Sequence, residues 1–131
     1  MITLPIKLLT VEEIINLHKK IIKATGGHDG LRDRGLLESA IYGAFSSYEN
    51  IEQYPSIEEK AARYAFGLIK NHAFIDGNKR IGILSMLMIL TLNEKKINYT
   101  QQELINLGLS IADGTMDYNS ILNWIMQHKA I

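Results

Sequence analysis

Apolar residues recur along this chain mostly at intervals of three and four, the period of helices that pack on one side. In VEEIINLHKKIIKA the stripe is Ile14, Leu17, Ile21 and Ala24, and it stops at Gly26-Gly27. Residues 36–46 predict a second, shorter helix, and IEEKAARYAFGLIKN a third with Ala61, Ala65, Leu68 and Ile69 on one stripe. KRIGILSMLMILTL is apolar on nearly every side, the mark of a helix surrounded by others. QQELINLGLSIA and SILNWIMQHK supply two more. Three of these starts share one device, Ser or Thr followed three positions later by Glu: Thr10 with Glu13, Ser56 with Glu59, Thr100 with Glu103. In each, hydroxyl and carboxylate cap each other's backbone N–H groups. Only Met1 to Leu9 and Ile97 to Thr100 could pass for strands, and no repeat, low-complexity tract or linker interrupts the pattern. The expectation is an all-α fold, one domain over residues 1–131, with about six helices around the one that starts near Asn78.

Composition narrows the class without naming an activity. With 47% apolar and 21% charged residues the chain has an ordinary soluble composition. Fourteen basic residues balance fourteen acidic ones, which counts against a general nucleic-acid binder, since that needs a basic face to release counterions. The absence of cysteine excludes disulfides and thiolate metal sites and fits a reducing compartment. MITLPIKLL is too short and too interrupted, by Pro5 and Lys7, to read as a signal peptide. The longest apolar stretch, Ile81 to Leu92, falls short of the roughly 20 residues that span a membrane. A cytoplasmic protein is expected.

The chemistry concentrates in NHAFIDGNKR, residues 71–80, between the third and fourth helices. His72 stands four residues after Leu68 and seven after Ala65, which continues the buried stripe of the third helix. Phe74 can fold back into the core and pin the loop. Gly77 permits a turn closed to other residues, and Asn78 suits an N-cap. The next turn presents free N–H groups and the positive end of a helix dipole, an anion site. Lys79 and Arg80 fall in that turn, where a cation costs roughly 0.3–1 kcal/mol unless a polyanion is bound. Asp76, just outside, suits a divalent metal bridging phosphate oxygens, and His72 a general base. Each residue taken singly also has a plain structural reading; it is the ordered set on a helix–loop–helix that points to function.

HAFIDGNKR resembles the signature of the Fic/Doc family, His-x-Phe-x-Asp/Glu-Gly/Ala-Asn-x-x, in its death-on-curing (Doc) toxin branch. GGHDGLRDRGLLESAI is similar to the glycine-rich loop and helix of Doc proteins, YPSIEEKAA to the segment leading into the signature, and IADGTMDYNSILNWIMQH to the closing helix. MITLPIKLL is longer than the family pattern, and YGAFSSYENIEQ diverges from it. The resemblance implies transfer of part of a nucleotide, ATP with Mg2+, to a protein hydroxyl. By position His72 becomes the catalytic base, Asp76 the magnesium ligand, Gly77 and Asn78 the anion nest, and Arg80 a phosphate contact. Adenylyl-transferring relatives have Gly where this chain has Lys79, leaving room for the terminal phosphates of ATP. In Doc-like proteins a lysine there accompanies a reversed nucleotide that presents its γ-phosphate, a kinase outcome, with elongation factor Tu as the target the family suggests. Lys70 stands where Doc relatives can carry another cation that meets phosphate, and also reads as a solvated helix residue. AMP transfer, or a catalytically inactive protein-binding module, are the alternatives.

The remaining candidates read more plainly. His28-Asp29 superficially resembles the metal pair of HD-type phosphohydrolases, but those need it on a helix with further ligands, and glycines flank it here. His18 and His128 read as surface or half-buried helix residues, Met86–Met88 and Trp124 as core. YGAFSSYENIEQY reads as an ordinary connection or, in family position, as the flap that lines up the target's backbone. Fic proteins that restrain themselves carry a helix of the form Ser/Thr-x-x-x-Glu-Gly/Asn. The one Glu here before Gly or Asn is Glu49, and Phe45 stands four residues earlier. The resemblance therefore implies control in trans by a Phd-like antitoxin, landing beside Lys79 and Arg80.

Overall fold

The computed structural model describes residues 5–130. Six helices carry the fold: α1 (Val11–Thr25), α2 (Arg34–Tyr42), α3 (Ile57–Asn71), α4 (Asn78–Leu92), α5 (Gln101–Ala112) and α6 (Tyr118–Gln127). All three expected capping boxes form, with Thr10, Ser56 and Thr100 each accepting from the backbone of a Glu that reaches back to the cap. Asp33 and Asp117 cap α2 and α6 by the same physics without the reciprocal glutamate.

Helices α3 and α4 form the central pair. α3 also packs against α2, α5 and α6, and α4 against α1 and α5. The stripe Ala61, Ala65, Leu68 and Ile69 is buried as the spacing predicts, and Ile81, Met86, Ile89 and Leu90 bury the facing side of α4. Tyr64, fully buried, donates its hydroxyl hydrogen to the Leu9 carbonyl at 2.7 Å, which ties the chain entering α1 to the core. Met88 and Trp124 are only half-buried, less enclosed than core residues.

Several expectations need correction. In α1 the buried line is Val11, Ile14, His18 and Ile22, while Leu17 and Ile21 are half-buried and Ala24 is exposed. The helix is turned by about one residue because its neighbour on this side is the polar loop before α4, and that turn puts a histidine inside. The second helix ends at Tyr42, and Gly43–Phe45 continue only as one 3-10 turn. The chain then forms a small antiparallel hairpin, β1 (Ser47–Tyr48) with β2 (Ile51–Glu52), its register pairing Ser47 with Glu52 and Tyr48 with Ile51. Glu49 and Asn50 make its turn with φ of 50° and 66°, the left-handed pair that a two-residue hairpin needs. No hydrophobic alternation announced it. Of the stretch 1–9 that could pass for a strand, residues 5–9 form none, and residues 1–4 lie outside the described residues. The stretch 97–100, which could also pass for a strand, contributes one bridge, Ile97 to Lys129.

Candidate active site

The sequence between α3 and α4 folds into a tight loop because both of its ends are forced. α3 stops at His72, which takes the left-handed conformation (φ 51°, ψ 50°) of a helix C-cap. The released carbonyls find one donor: the Arg32 guanidinium donates to the His72 carbonyl from Nε at 2.9 Å and Nη2 at 2.6 Å, and from Nη2 to Asn71 at 3.3 Å. Backbone N–H groups of Arg32 and Asp33 both donate to the Ala73 carbonyl, and that of Ile75 donates to Gly30. The segment Gly30–Asp33 thus lies along the loop like a short strand.

His72 is consequently exposed, not a continuation of the buried stripe. The stripe ends where the helix does, and the left-handed residue turns its side chain out of the core. Its imidazole has no hydrogen-bond partner among the described residues and lines a cavity of about 210 Å³ with Asp76, Gly77, Asn78, Lys79 and Arg80. Phe74 does fold into the core, buried against the His18 ring at 3.8 Å between centroids.

Asn78 is not the N-cap. That position falls to Gly77, left-handed at φ 78°, and no side chain caps α4. The Asn78 amide instead turns inward, accepting from Phe74 N–H at 3.0 Å and donating to Phe74 C=O at 2.9 Å. The first backbone bond of α4 runs from Ile81 N–H to Gly77 C=O at 2.9 Å. The amides ahead of it are left without helical partners at the cavity wall, at the positive end of the dipole.

The Asp76 carboxylate accepts from the backbone N–H groups of His28 at 3.1 Å and Gly77 at 2.8 Å, and pairs with Arg80 at 3.7 Å. Those two amides, more than the guanidinium, hold its pKa below the usual carboxylate range, so it stays ionised. The glycine-rich loop has to come this close: a Cβ on Gly27 would stand 2.6 Å from Asp76 Oδ2, and its φ of 116° excludes most side chains in any case. Arg80 is engaged with the end of α1, Nη1 donating to Thr25 Oγ1 at 2.6 Å and to the Gly26 carbonyl at 2.7 Å. Lys79 is exposed and borders both the cavity and a neighbouring groove. Lys70 does not line the cavity; it faces the turn after α5, with Nζ near Gly114.

Divalent-metal chemistry fits these residues in one form only. Among the described residues no group of three His, Asp, Glu or Cys side chains could hold an ion. Asp76 is an ionised carboxylate at the cavity edge beside an uncapped helix start, so a hard cation there would be held jointly with phosphate oxygens. His28 and Asp29, the pair similar to a metal-hydrolase motif, belong to no such cluster.

Beside the cavity runs an apolar groove of about 400 Å³ between α1, α4 and α5, with Ile21, Ile83, Leu87, Ile105 and Leu109 along it and Lys79 and Arg80 at one end. Three residues of the site escaped the sequence reading: His18, Asn78 in its true role, and Arg32. The spacing of His18, four residues from both Ile14 and Ile22, was the available signal for the first. Nothing local marked the other two, whose partners are backbone atoms of another segment.

An exposed imidazole beside an uncapped, cation-bearing helix start forms a candidate anion-binding site on a helical bundle. The Fic/DOC family model matches residues 8–90, well over half of the chain. The chain belongs to the Fic/DOC family. It is similar to the protein kinase doc of Escherichia phage P1, 31% identical over 113 residues that cover 86% of this chain and 88% of that protein. It is also similar to the toxin Doc of Mycolicibacterium smegmatis, 40% identical over 57 residues, 44% of each chain. Both relatives are Doc proteins, and the chain falls in that branch.

Proposed function

We propose that this protein is the toxin of a toxin–antitoxin pair, an ATP-dependent phosphotransferase that phosphorylates a hydroxyl of a target protein, elongation factor Tu, and so blocks translation in the cytoplasm. The observation that carries the reading is Lys79, second residue of α4, bordering the cavity faced by His72. It sets an ammonium where adenylyl-transferring relatives have glycine. The naming of the phage relative as a protein kinase supports the same choice.

In this reading the target hydroxyl approaches the free face of His72. The imidazole takes its proton as the oxygen bonds to the γ-phosphorus; the bond from that phosphorus to the β,γ-bridging oxygen breaks, and ADP leaves. The α4 amides and Lys79 stabilise the charge on the transferring group. Arg80, lying beside Asp76 at the cavity, leaves Thr25 and Gly26 to contact phosphate, and Lys70 contributes only long-range attraction. Asp76 would hold magnesium together with the phosphates, and the ion would supply charge neutralisation there. The hairpin presents Tyr48 and Ile51, 70% and 72% exposed, as the flap against which the target backbone is laid.

Glu49 lies in the hairpin turn and so is not on an inhibitory helix. Restraint then comes from an antitoxin of the Phd-like kind. Its amphipathic segment would lie in the apolar groove, with a carboxylate meeting Lys79 and Arg80. ATP labelled at the γ- or the α-phosphate, incubated with protein and lysate, tests the transfer. Label entering protein from γ-labelled ATP alone is expected. Label from α-labelled ATP would replace the assignment with AMP transfer, and label from neither would leave a binding module.

A further inference from the structure

His18 has no packing need to be a histidine. It lies between Ile14 and Ile22 on the buried line of α1, 1% exposed, where a leucine would fill the space. Its ring lies flat on Phe74, 13° from parallel. Its Nε2 lies 2.7 Å from the Asp76 carbonyl oxygen. A carbonyl only accepts, so the hydrogen sits on Nε2 and the imidazole is the donor. Nδ1 has no hydrogen-bond partner; the nearest charge is half-exposed Asp29, 3.6 Å away.

That carbonyl belongs to the peptide group whose other end is Gly77 N–H, the donor to Asp76 Oδ1 at 2.8 Å. In a trans peptide C=O and N–H point in opposite directions, so fixing one fixes the other. We infer that His18 is a positioning residue for the signature loop: by holding the Asp76 carbonyl it directs the Gly77 amide, and through that amide the Asp76 carboxylate. The device is needed because Gly77 comes next in the chain. Glycine crosses between positive and negative φ at little cost, so a 76–77 peptide released from His18 is free to rotate and carry the N–H away from the carboxylate. The chain Phe74–His18–Asp76–Gly77 therefore joins the core to the candidate ligand through a bond from another helix.

The inference rests on the proposed role of Asp76 toward magnesium and ATP, and its test separates the two. Two variants divide the packing from the bond. His18→Leu keeps the apolar contact with Phe74 and loses the donor; His18→Gln keeps an N–H donor of similar reach. ATP is titrated into wild type and both variants by calorimetry, once with Mg2+ and once with chelator. The Leu variant is expected to lose about 10- to 100-fold in Mg2+-dependent affinity, as for a partner lost behind a metal ligand. Its metal-free affinity stays at the wild-type level, and the Gln variant recovers most of the loss. The amide exchange rate of Gly77, read by NMR, rises in the Leu variant and not in the Gln variant. A folded Leu variant with wild-type Mg2+-dependent affinity and Gly77 exchange overturns the inference, as does a Gln variant as impaired as Leu. If the wild type itself ignores Mg2+ and ATP, the proposed function fails, and Gly77 exchange alone decides the positioning. Should the Leu variant not fold, His18→Met, longer and more pliable, takes its place.

Discussion

The Asn78 carboxamide brackets the Phe74 backbone, taking the N–H at 3.0 Å and giving to the C=O at 2.9 Å, all of it buried. The asparagine of the signature thus shapes the loop from inside. Replacing Asn78 with Ala strands two buried backbone groups, at about 1–3 kcal/mol each. A loss of roughly 2–6 kcal/mol in urea unfolding is expected. Asn78→Asp keeps the acceptor but sets an anion against the Phe74 carbonyl, and is expected to lose a similar amount. A change under about 0.5 kcal/mol, the scale of an ordinary surface substitution, would contradict this account.

His72 combines an exposed imidazole with left-handed backbone, a conformation that costs a side-chain-bearing residue about 1–2 kcal/mol. Glycine removes that cost while adding freedom to the unfolded chain worth about 0.5–1 kcal/mol. His72→Gly is therefore expected to equal or exceed wild-type stability by up to about 1.5 kcal/mol, with His72→Ala close to wild type. Both are expected to lose about 10²- to 10⁴-fold in transfer. Paired thermal melts and growth-arrest assays read the two effects. A toxic His72→Gly strain would remove the histidine from the chemistry.

Lys60 is buried at the base of the hairpin. Its Nζ donates to the Tyr54 carbonyl, to Ala44 O at 3.3 Å and to Glu52 Oε1 at 3.0 Å. Lys60→Met keeps the aliphatic stem but leaves two carbonyls and a half-exposed carboxylate without their cation. A cost of roughly 2–3 kcal/mol is expected, reduced by the solvent that already reaches Glu52. Hydrogen exchange across residues 46–53 should rise more than that of α3. Uniform protection would show the hairpin standing without this tether.

The pair Glu103–His128 gives a pH signature far from the site. Burial opposes the charged imidazole, but the Glu103 carboxylate and the Trp124 carbonyl together raise the His128 pKa above its usual value. The same His128 bond, first among the causes, lowers that of Glu103. The histidine's contribution is complete below its unfolded pKa of about 6.5 and is lost as pH rises through the raised folded value. The glutamate's is present above about 4.3 and is lost as pH falls through the lowered folded value. The pair therefore stabilises most between about pH 4.5 and 6.5. His128→Gln should flatten that part of the profile of unfolding free energy against pH; an unchanged profile would show that the pair contributes nothing.

The helices, three capping boxes and the place of the candidate site were legible along the chain, because each depends on residues within four positions. Thr10 with Glu13 and the stripe on α3 are local physics, and they formed as read. The hairpin was not legible, since its two-residue strands have no room for a period. It is held by Lys60, from a helix that comes later in sequence. Within the site, the order of His72, Asp76, Gly77 and Lys79 identified the loop, but local spacing assigned His72 to the core and Asn78 to a cap. Tertiary structure reversed both. Arg32, 40 positions from His72, closes the helix end and lets the imidazole face out. His18, 58 positions from Asp76, fills the space behind the loop. Spacing along a helix says which side chains share a face. Which face is buried depends on what packs there, and for this loop that is the His18 ring, the Arg32 guanidinium and the backbone of Gly30–Asp33.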